Sequence, residues 1–481
     1  MDANVQISDI INTQNNQIKL DNNDDSYIGW MIIGVFIAVI LMCIYLKYFR
    51  QSVSKKDSMV YSLANNKKYT NYTIIDYLQL IAKKFPKKNA LKVNTGKYWK
   101  PVTYAEYYKN VVSFSQNLNY WFGSNVNIAI IGFNSPGWFY AHLGCMMNGG
   151  VSVGMYPTNT PKMCQYIIKN CNATVLVVDD DKQLEKFVGM DISPVKWIVY
   201  YSPIKPEMIK QFNIPVVSMG NFMTEKVSMR KLTSIGKVAT LIYTSGTTGN
   251  PKGAIISHKN IMASIRSIAN TLVNKSSIQC INNEQFISYL PLNHIASQLM
   301  DIYLPIMTAG TVWFADRNAL KSSLSTTIRE VRPTIFVGVP RVWEKMSEEI
   351  QKKVEEQGFV GSLIKLTYSN KIIQKIGLER CKLAITTTAP VSESARQYLQ
   401  SVGINLYDIY GMSETTGPIS ISVPGLNRVG SVGIPIMKVK ITSKNTKEGS
   451  GEILVKGQNL FEGYFQDDDT TRKSFTKDKW F

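Results

Sequence analysis

The sequence predicts an α/β fold in which short parallel strands alternate with amphipathic helices, closed by a small β subdomain and preceded by one transmembrane helix. Three observations carry this reading. Five short apolar runs rich in β-branched or aromatic residues lie between residues 128 and 385, helical stripes follow several of them, and residues 27–46 form a twenty-residue run without a charge. The 481 residues leave room for two or three domains or for one large multi-lobed body.

The elements follow in chain order. Residues 1–26 form an acidic tail with five Asp and one Lys. Residues 27–46 (YIGWMIIGVFIAVILMCIYL) reach across a hydrocarbon core of about 30 Å at a rise of about 1.5 Å per residue. The tail lacks the basic start of a cleaved signal peptide, so the run reads as a retained anchor. Asp21, Asp24 and Asp25 precede it, and Lys47, Arg50, Lys55 and Lys56 follow it. That asymmetry predicts a body on the cytosolic side of an endoplasmic reticulum or other organelle membrane. Residues 47–70 read as a basic linker.

From residue 71 to 430 the pattern is α/β. Ile128–Ile131, Val175–Val178, residues 241–243, residues 334–337 and residues 383–385 have the composition of buried parallel strands. Ser257 is the expected N-cap of a helix that carries Ile261, Ile265, Ile268 and Leu272 on one face. Val342, Met346, Ile350 and Val354 form a second stripe. In residues 431–481 the period shortens to two, with Met437, Val439 and Ile441 alternating with Lys438, Lys440 and Thr442, then a turn and the run 451–455. This predicts a small β subdomain.

The formal charge is +19, and +23 once the tail is set aside. An anionic membrane face or anionic small substrates account for that excess better than nucleic acid, for which no binding motif is present. A solvated lysine-rich surface is the plain alternative. The six cysteines are scattered and the three histidines lie outside any metal-ligand spacing, so neither a disulfide framework nor a zinc site is expected.

Two segments carry chemistry. YTSGTTGNPKG (residues 243–253) stands between an apolar strand and the helix that begins near Ser257. Its glycines Gly246 and Gly249 let backbone N–H groups approach phosphate oxygens, the hydroxyls of Thr244, Ser245, Thr247 and Thr248 add donors, and Lys252 supplies a cation. Pro251 stands where a Walker A loop needs glycine, so an ordinary P-loop is disfavoured. The second segment, DIYGMSET (residues 408–415), sets the Glu414 carboxylate between the hydroxyls of Ser413 and Thr415, a set of oxygens suited to Mg²⁺, with Tyr410 and Gly411 just before it. Alone, an acidic loop residue of this kind is as readily a solvated one.

These segments occur in one order with YLPLNHIASQ (289–298), VGVPRVWEKM (337–346), TTTAP (386–390) and GEILVKGQNLFEGYF (451–465). In that order the chain resembles the adenylate-forming, AMP-binding acyl-CoA synthetases from about residue 71 to its end, and most of all the bubblegum-type long-chain fatty acid–CoA ligases. The resemblance implies the large lobe of that fold, two doubly wound α/β subdomains plus a small β subdomain. It implies a reaction in which a fatty acid and ATP give acyl-adenylate and pyrophosphate, after which CoA displaces AMP, with Mg²⁺ as cofactor. Carried over by position, residues 244–252 hold the outer phosphates, Tyr410 lies against adenine, Ser413 meets the α-phosphate and Glu414 binds Mg²⁺. Lys252, Glu414 and His294 then form the catalytic set, with His294 near the acyl carboxylate and Trp343 beside the acyl chain, although His294 also reads as a capping or packing residue and a Trp on an apolar helical stripe is more often core.

Two departures qualify the resemblance. Thr387 and Thr388 replace a small Gly-Ala pair that borders nucleotide and acyl group in the family. The chain also stops at Phe481, before the family's ribose-binding motif and its C-terminal domain with the adenylation lysine. The expectation is therefore a weakly active or purely binding lobe as the alternative to a ligase, with a ligase for another carboxylic acid as the other.

Overall fold

A computed structural model describes residues 71–481 apart from 225–236, 245–249, 279–282, 357–368 and 443–449, together with Ile37 and Met42. The chain divides into two units, Met1–Asp57 and Ser58–Phe481, and the second holds the sheets. The expected tail, anchor and linker thus lie outside the described residues except for Ile37 and Met42, which are helical and exposed. Among the described residues no helix is long and apolar enough to cross a membrane.

The apolar runs form strands because each is buried on both faces. In chain order the strands of the first sheet are β3 (Ile128–Ile131), β4 (Ser152–Met155), β5 (Val175–Val178), β6 (Trp197–Tyr200), β7 (Val216–Ser218), β8 (Val238–Thr244) and β9 (Lys252–Ser257), and every residue of β3, β4 and β5 is buried. They pair in the order β7-β6-β5-β3-β4-β8-β9, parallel except for β9, which runs antiparallel to β8. The reversal of strand order about β3 makes this sheet doubly wound, with ligand space beyond the strands' carboxyl ends. Ser257 caps the following helix, His258–Asn274, accepting from the Asn260 amide in a capping box.

The expected second doubly wound subdomain is instead two mixed sheets. One comprises β1 (Asn89–Asn94), β2 (Trp99–Thr103), β10 (Gln285–Ser288) and β11 (Thr311–Phe314), in the order β10-β11-β1-β2. The other comprises β12 (Ile335–Gly338), β13 (Leu383–Thr387), β14 (Leu406–Met412), β15 (Gly417–Ile421) and β16 (Ile434–Pro435) in sequence order, parallel from β12 to β14 and antiparallel thereafter. Between β10 and β12 the link is Thr334, which donates its amide to Gln285 O (3.1 Å) and accepts the Gln285 amide on its hydroxyl (2.8 Å). The β subdomain appears as the antiparallel pair β17 (Lys438–Thr442) and β18 (Glu452–Lys456).

Polar contacts join the carboxyl edges of the first two sheets. Arg317, just past β11, pairs with Asp179 (2.6 Å) and Asp180, just past β5. Asp179 is 2% exposed and also accepts from the Ser202 hydroxyl (2.6 Å) and the Phe133 amide (2.9 Å), which satisfies a carboxylate that burial alone would penalise. Asn134, past β3, donates to the Ser288 hydroxyl (2.8 Å) and to Leu290 O (2.9 Å), and Ser288 donates to Asp301 (2.8 Å).

Burial pushes the Asp301 carboxyl up to about 8. The native state therefore keeps a proton that the unfolded chain, with its ordinary carboxylate, releases near pH 4, so this group's contribution to stability is present at low pH and lost as pH rises towards 8. Relative to Asp301→Asn, which can still accept from Ser288, the wild-type urea midpoint should fall between pH 5 and pH 8. Two parallel pH profiles would show that Asp301 is ionised in the fold.

Candidate active site

Lys252 opens β9 and Thr244 closes β8, and the two are register partners at the two ends of the segment 245–251. Thr244 is half-buried. Ser245, Gly246, Thr247, Thr248 and Gly249 lie outside the described residues. The Lys252 ammonium is one-third exposed, hydrogen-bonds the Thr470 hydroxyl (3.1 Å), stands 3.7 Å from Asp467 and lies 5.6 Å from the centre of the Tyr464 ring.

Glu414 sits in a single 3-10 turn, Ser413–Thr415, directly after β14. Its carboxylate accepts from the Tyr464 hydroxyl at 2.8 Å. The other two hydroxyls of the turn differ in fate. Ser413 remains half-exposed, whereas Thr415 is fully buried, donating to Gly417 O (2.6 Å) and accepting the Met412 amide (3.1 Å). The expectation that Thr415 offers an oxygen beside Glu414 is thereby corrected, since the loop's own backbone uses it. Tyr410 is half-buried and pairs across the sheet with Ser420, just before a bulge. Gly411 follows the bulge, and a Cβ there would meet Gly417 O at 2.0 Å, so no other residue fits without moving the turn.

One stretch joins the two motifs. Residues 461–465 lie alongside β9 through Glu462 N to Ile255 O (2.9 Å), Ile255 N to Gly463 O (2.9 Å) and Phe465 N to Gly253 O (2.8 Å), while Phe461 N donates to Glu414 O (2.7 Å). The Asn260 side chain fixes the stretch from the other side through Gln458 O (2.8 Å) and Leu460 O (2.7 Å). Tyr464, Asp467 and Thr470 were not distinguished by sequence reasoning as site residues. The quoted segment 451–465 contained the tyrosine, but only the tertiary pairing of its backbone with β9 shows what it touches.

His294 follows β10 and Tyr156 follows β4, and their side chains are hydrogen-bonded with the rings edge to face at 5.0 Å. Desolvation lowers the imidazole's pKa, so His294 is neutral near pH 7. Trp343 is placed elsewhere. It is fully buried, its indole N–H shared between Gly338 O and Ile385 O (3.1 Å each), and its ring packs edge to face on Phe336. It offers no exposed face to an acyl chain and holds the β12–β13 core instead.

Thr387 is half-buried at the end of β13 and donates to Ile409 O (3.1 Å) on β14. Thr388 is exposed with φ +78°, a region that a β-branched residue enters only under strain of about 1–3 kcal/mol. Thr388→Gly should therefore raise the unfolding free energy by about 1 kcal/mol after the extra entropy of glycine in the unfolded chain is deducted. Urea denaturation checks it, and a loss of stability would show that the hydroxyl or methyl makes a contact worth more than the strain.

The AMP-binding enzyme family matches residues 78–465, which takes in both motifs and Tyr464. Among curated proteins, the long-chain-fatty-acid–CoA ligase ACSBG2 of Xenopus laevis is 34% identical over 450 residues, 85% of this chain and 60% of that protein. The human protein of that name is 31% identical over 454 residues, covering 85% and 66%. The chain thus spans about three fifths of the length of the first of these relatives. Among solved structures, the adenylation domain of a carboxylic acid reductase from Segniliparus rugosus superposes with a TM-score of 0.72 at 18% identity, over 88% of this chain and 73% of that one. An o-succinylbenzoate CoA synthetase from Bacillus subtilis gives 0.63 at 21%, over 84% and 74%. At such identities the superpositions speak for the fold. By the extent of the family match and by its curated relatives, the chain belongs to the AMP-binding enzyme family.

Proposed function

We propose that the chain acts as a long-chain fatty acid–CoA ligase, binding ATP and a long-chain fatty acid at the carboxyl ends of its strands. The observation that carries this reading is the meeting of Lys252 and Glu414, distant in sequence, on the two sides of Tyr464. The likeness to relatives named long-chain-fatty-acid–CoA ligases supports the substrate class. In the reaction a carboxylate oxygen attacks the α-phosphorus of ATP, the bond to pyrophosphate breaks, and the thiolate of CoA then displaces AMP from the acyl carbon. Both partners of the first step are anions, so fixed donors and cations must offset their repulsion.

Lys252 and the 244–249 loop would hold the outer phosphates, Ser413 the α-phosphate and Tyr410 the base. Thr387 and Thr388 would border the nucleotide. His294, neutral and held by Tyr156, would donate to or orient the acyl carboxylate without adding charge. Glu414 suits Mg²⁺ as a lone, half-exposed carboxylate, because that ion takes one or two protein oxygens and completes its shell with phosphates and water. Among the described residues there is no cluster of three acidic, His or Cys side chains that would hold an ion without the nucleotide. Bound there with ATP, Mg²⁺ would neutralise phosphate charge.

Lys252→Ala should weaken ATP by about tenfold or more, as expected for loss of a charge-assisted hydrogen bond, and AMP far less. Calorimetric titration with both nucleotides tests this, and equal losses would remove the outer phosphates from the role of Lys252. The uncharged run 27–46 and its basic C-terminal flank support an anchor in the endoplasmic reticulum or another organelle membrane, with the body in the cytosol. Protease added to sealed vesicles should then digest the body, and a protected body would reverse the orientation.

A further inference from the structure

We propose that Tyr464 is a positioning residue: its hydroxyl holds the Glu414 carboxylate ready for a phosphate-bound divalent cation, while its ring lies under the Lys252 ammonium. The inference rests on the reading of Glu414 and Lys252 given above and adds to it the group that touches both.

The geometry gives Tyr464 two faces of action. Its hydroxyl donates to Glu414 at 2.8 Å, and its ring lies 5.6 Å below the Lys252 ammonium, within the range of a cation–π contact. A phenol hydroxyl facing a carboxylate, which can only accept, is the donor of that bond. The ring itself is fixed. It packs edge to face on Phe461 at 4.9 Å, and the Tyr464 amide donates to the Thr471 hydroxyl at 2.8 Å. The backbone on either side pairs with β9.

What surrounds Lys252 fits the same assignment. Without nucleotide its charge is met by Asp467 at 3.7 Å and Thr470 at 3.1 Å, the first turn of the helix Asp468–Lys473 and the residue that caps it. Both members of the ion pair are about one-third exposed, so solvent screens the attraction and a polyphosphate can replace Asp467 at little cost. Among the described residues Glu414 pairs with no cation, and its side-chain partner is the Tyr464 hydroxyl. A carboxylate held by a single neutral donor keeps its charge and its remaining lone pairs for a metal.

The test uses the full chain and Mg²⁺ with ATP as the probe. ATP affinity is measured calorimetrically across a Mg²⁺ titration and again in excess chelator, for wild type, Tyr464→Phe, Glu414→Gln and the double variant. Phenylalanine keeps the ring and its packing and removes only the hydroxyl. Tyr464→Phe should raise the Mg²⁺ concentration needed for half-maximal tightening about tenfold, the scale of one charge-assisted hydrogen bond. Its ATP affinity in chelator should stay within about twofold of wild type. The double variant should bind no worse than Glu414→Gln alone, because a hydroxyl that acts through Glu414 has nothing left to position.

A structural role would instead lower affinity equally with and without Mg²⁺ and add to the Glu414→Gln loss; either result overturns the proposal. If Glu414→Gln shifts the Mg²⁺ dependence and Tyr464→Phe does not, the positioning role fails and the metal role of Glu414 stands. If Glu414→Gln leaves that dependence unchanged, the underlying reading of Glu414 fails and the proposal falls with it.

Discussion

An ammonium and a carboxylate placed near one polyphosphate site attract each other more readily than they attract a solvated substrate, and a site that lets them pair has neutralised its own machinery. In this chain Lys252 lies over the Tyr464 ring and faces Asp467, while Glu414 takes the Tyr464 hydroxyl, and among the described residues no ion pair joins Lys252 to Glu414. The main chain fixes each of the three groups separately. Lys252 is fixed by the antiparallel return of β9 along β8, Glu414 by a 3-10 turn whose Thr415 hydroxyl is spent on its own backbone, and the tyrosine by main-chain pairing with β9. Each anchor is a set of backbone bonds, less adjustable than side-chain contacts, so the fold places the three groups where the Tyr464 hydroxyl can then orient the Glu414 carboxylate.

The sheets supply the common floor. Parallel strands send all their carboxyl ends to one side, and here two sheets bring those ends together through Asp179–Arg317 and through Asn134, Ser288 and Asp301. These are polar joints in a largely apolar core. A hydrophobic joint would bury as much area with less directional control, whereas each of these fixes a loop that leaves a strand: 132–134, 179–180, 289–294 and 315–317. His294 inherits its position from this arrangement, since the Asn134 bond to Leu290 O steadies the loop that leads to it.

What could be read in the sequence follows from range. Ile128–Ile131 and Val175–Val178 are strands with the bounds expected, because a run buried on both faces needs no partner to declare itself. The Ser257 cap and the strand at 438–442 are equally local, although the alternation holds only in part, since Ile441, expected on the covered face, is exposed. Lys252 and Glu414 stood out through the company their residue types keep within a few positions. The split of the second subdomain into two sheets was not legible, because it depends on which distant strand β10 and β12 accept, and the decisive contact is between Thr334 and Gln285. Tyr464 was hidden for the same reason. Its significance is the identity of two neighbours, one on β9 and one after β14, and no spacing in the chain encodes either. Trp343 shows the reverse case: an apolar helical stripe suggested both core and pocket, and the two carbonyls that share its N–H favour core.

The end of β13 is strained: Thr388, a β-branched residue, stands at positive φ, and the strand just before it is held by two bonds. Trp343 binds Ile385 O from below, and the Thr387 hydroxyl binds Ile409 O on β14. These bonds fix the strand up to the strained residue, each at the scale of one hydrogen bond. The hydroxyl at Thr387 thus has a structural use that a glycine could not provide, and it ties β13 to the strand that leads to Tyr410 and Glu414. The departure from the family's small pair then adds a clamp beside the site along with bulk. Thr388 turns the chain into the exposed stretch 388–390 through a conformation that glycine would adopt freely, directly after the Thr387 bond that fixes the end of the strand.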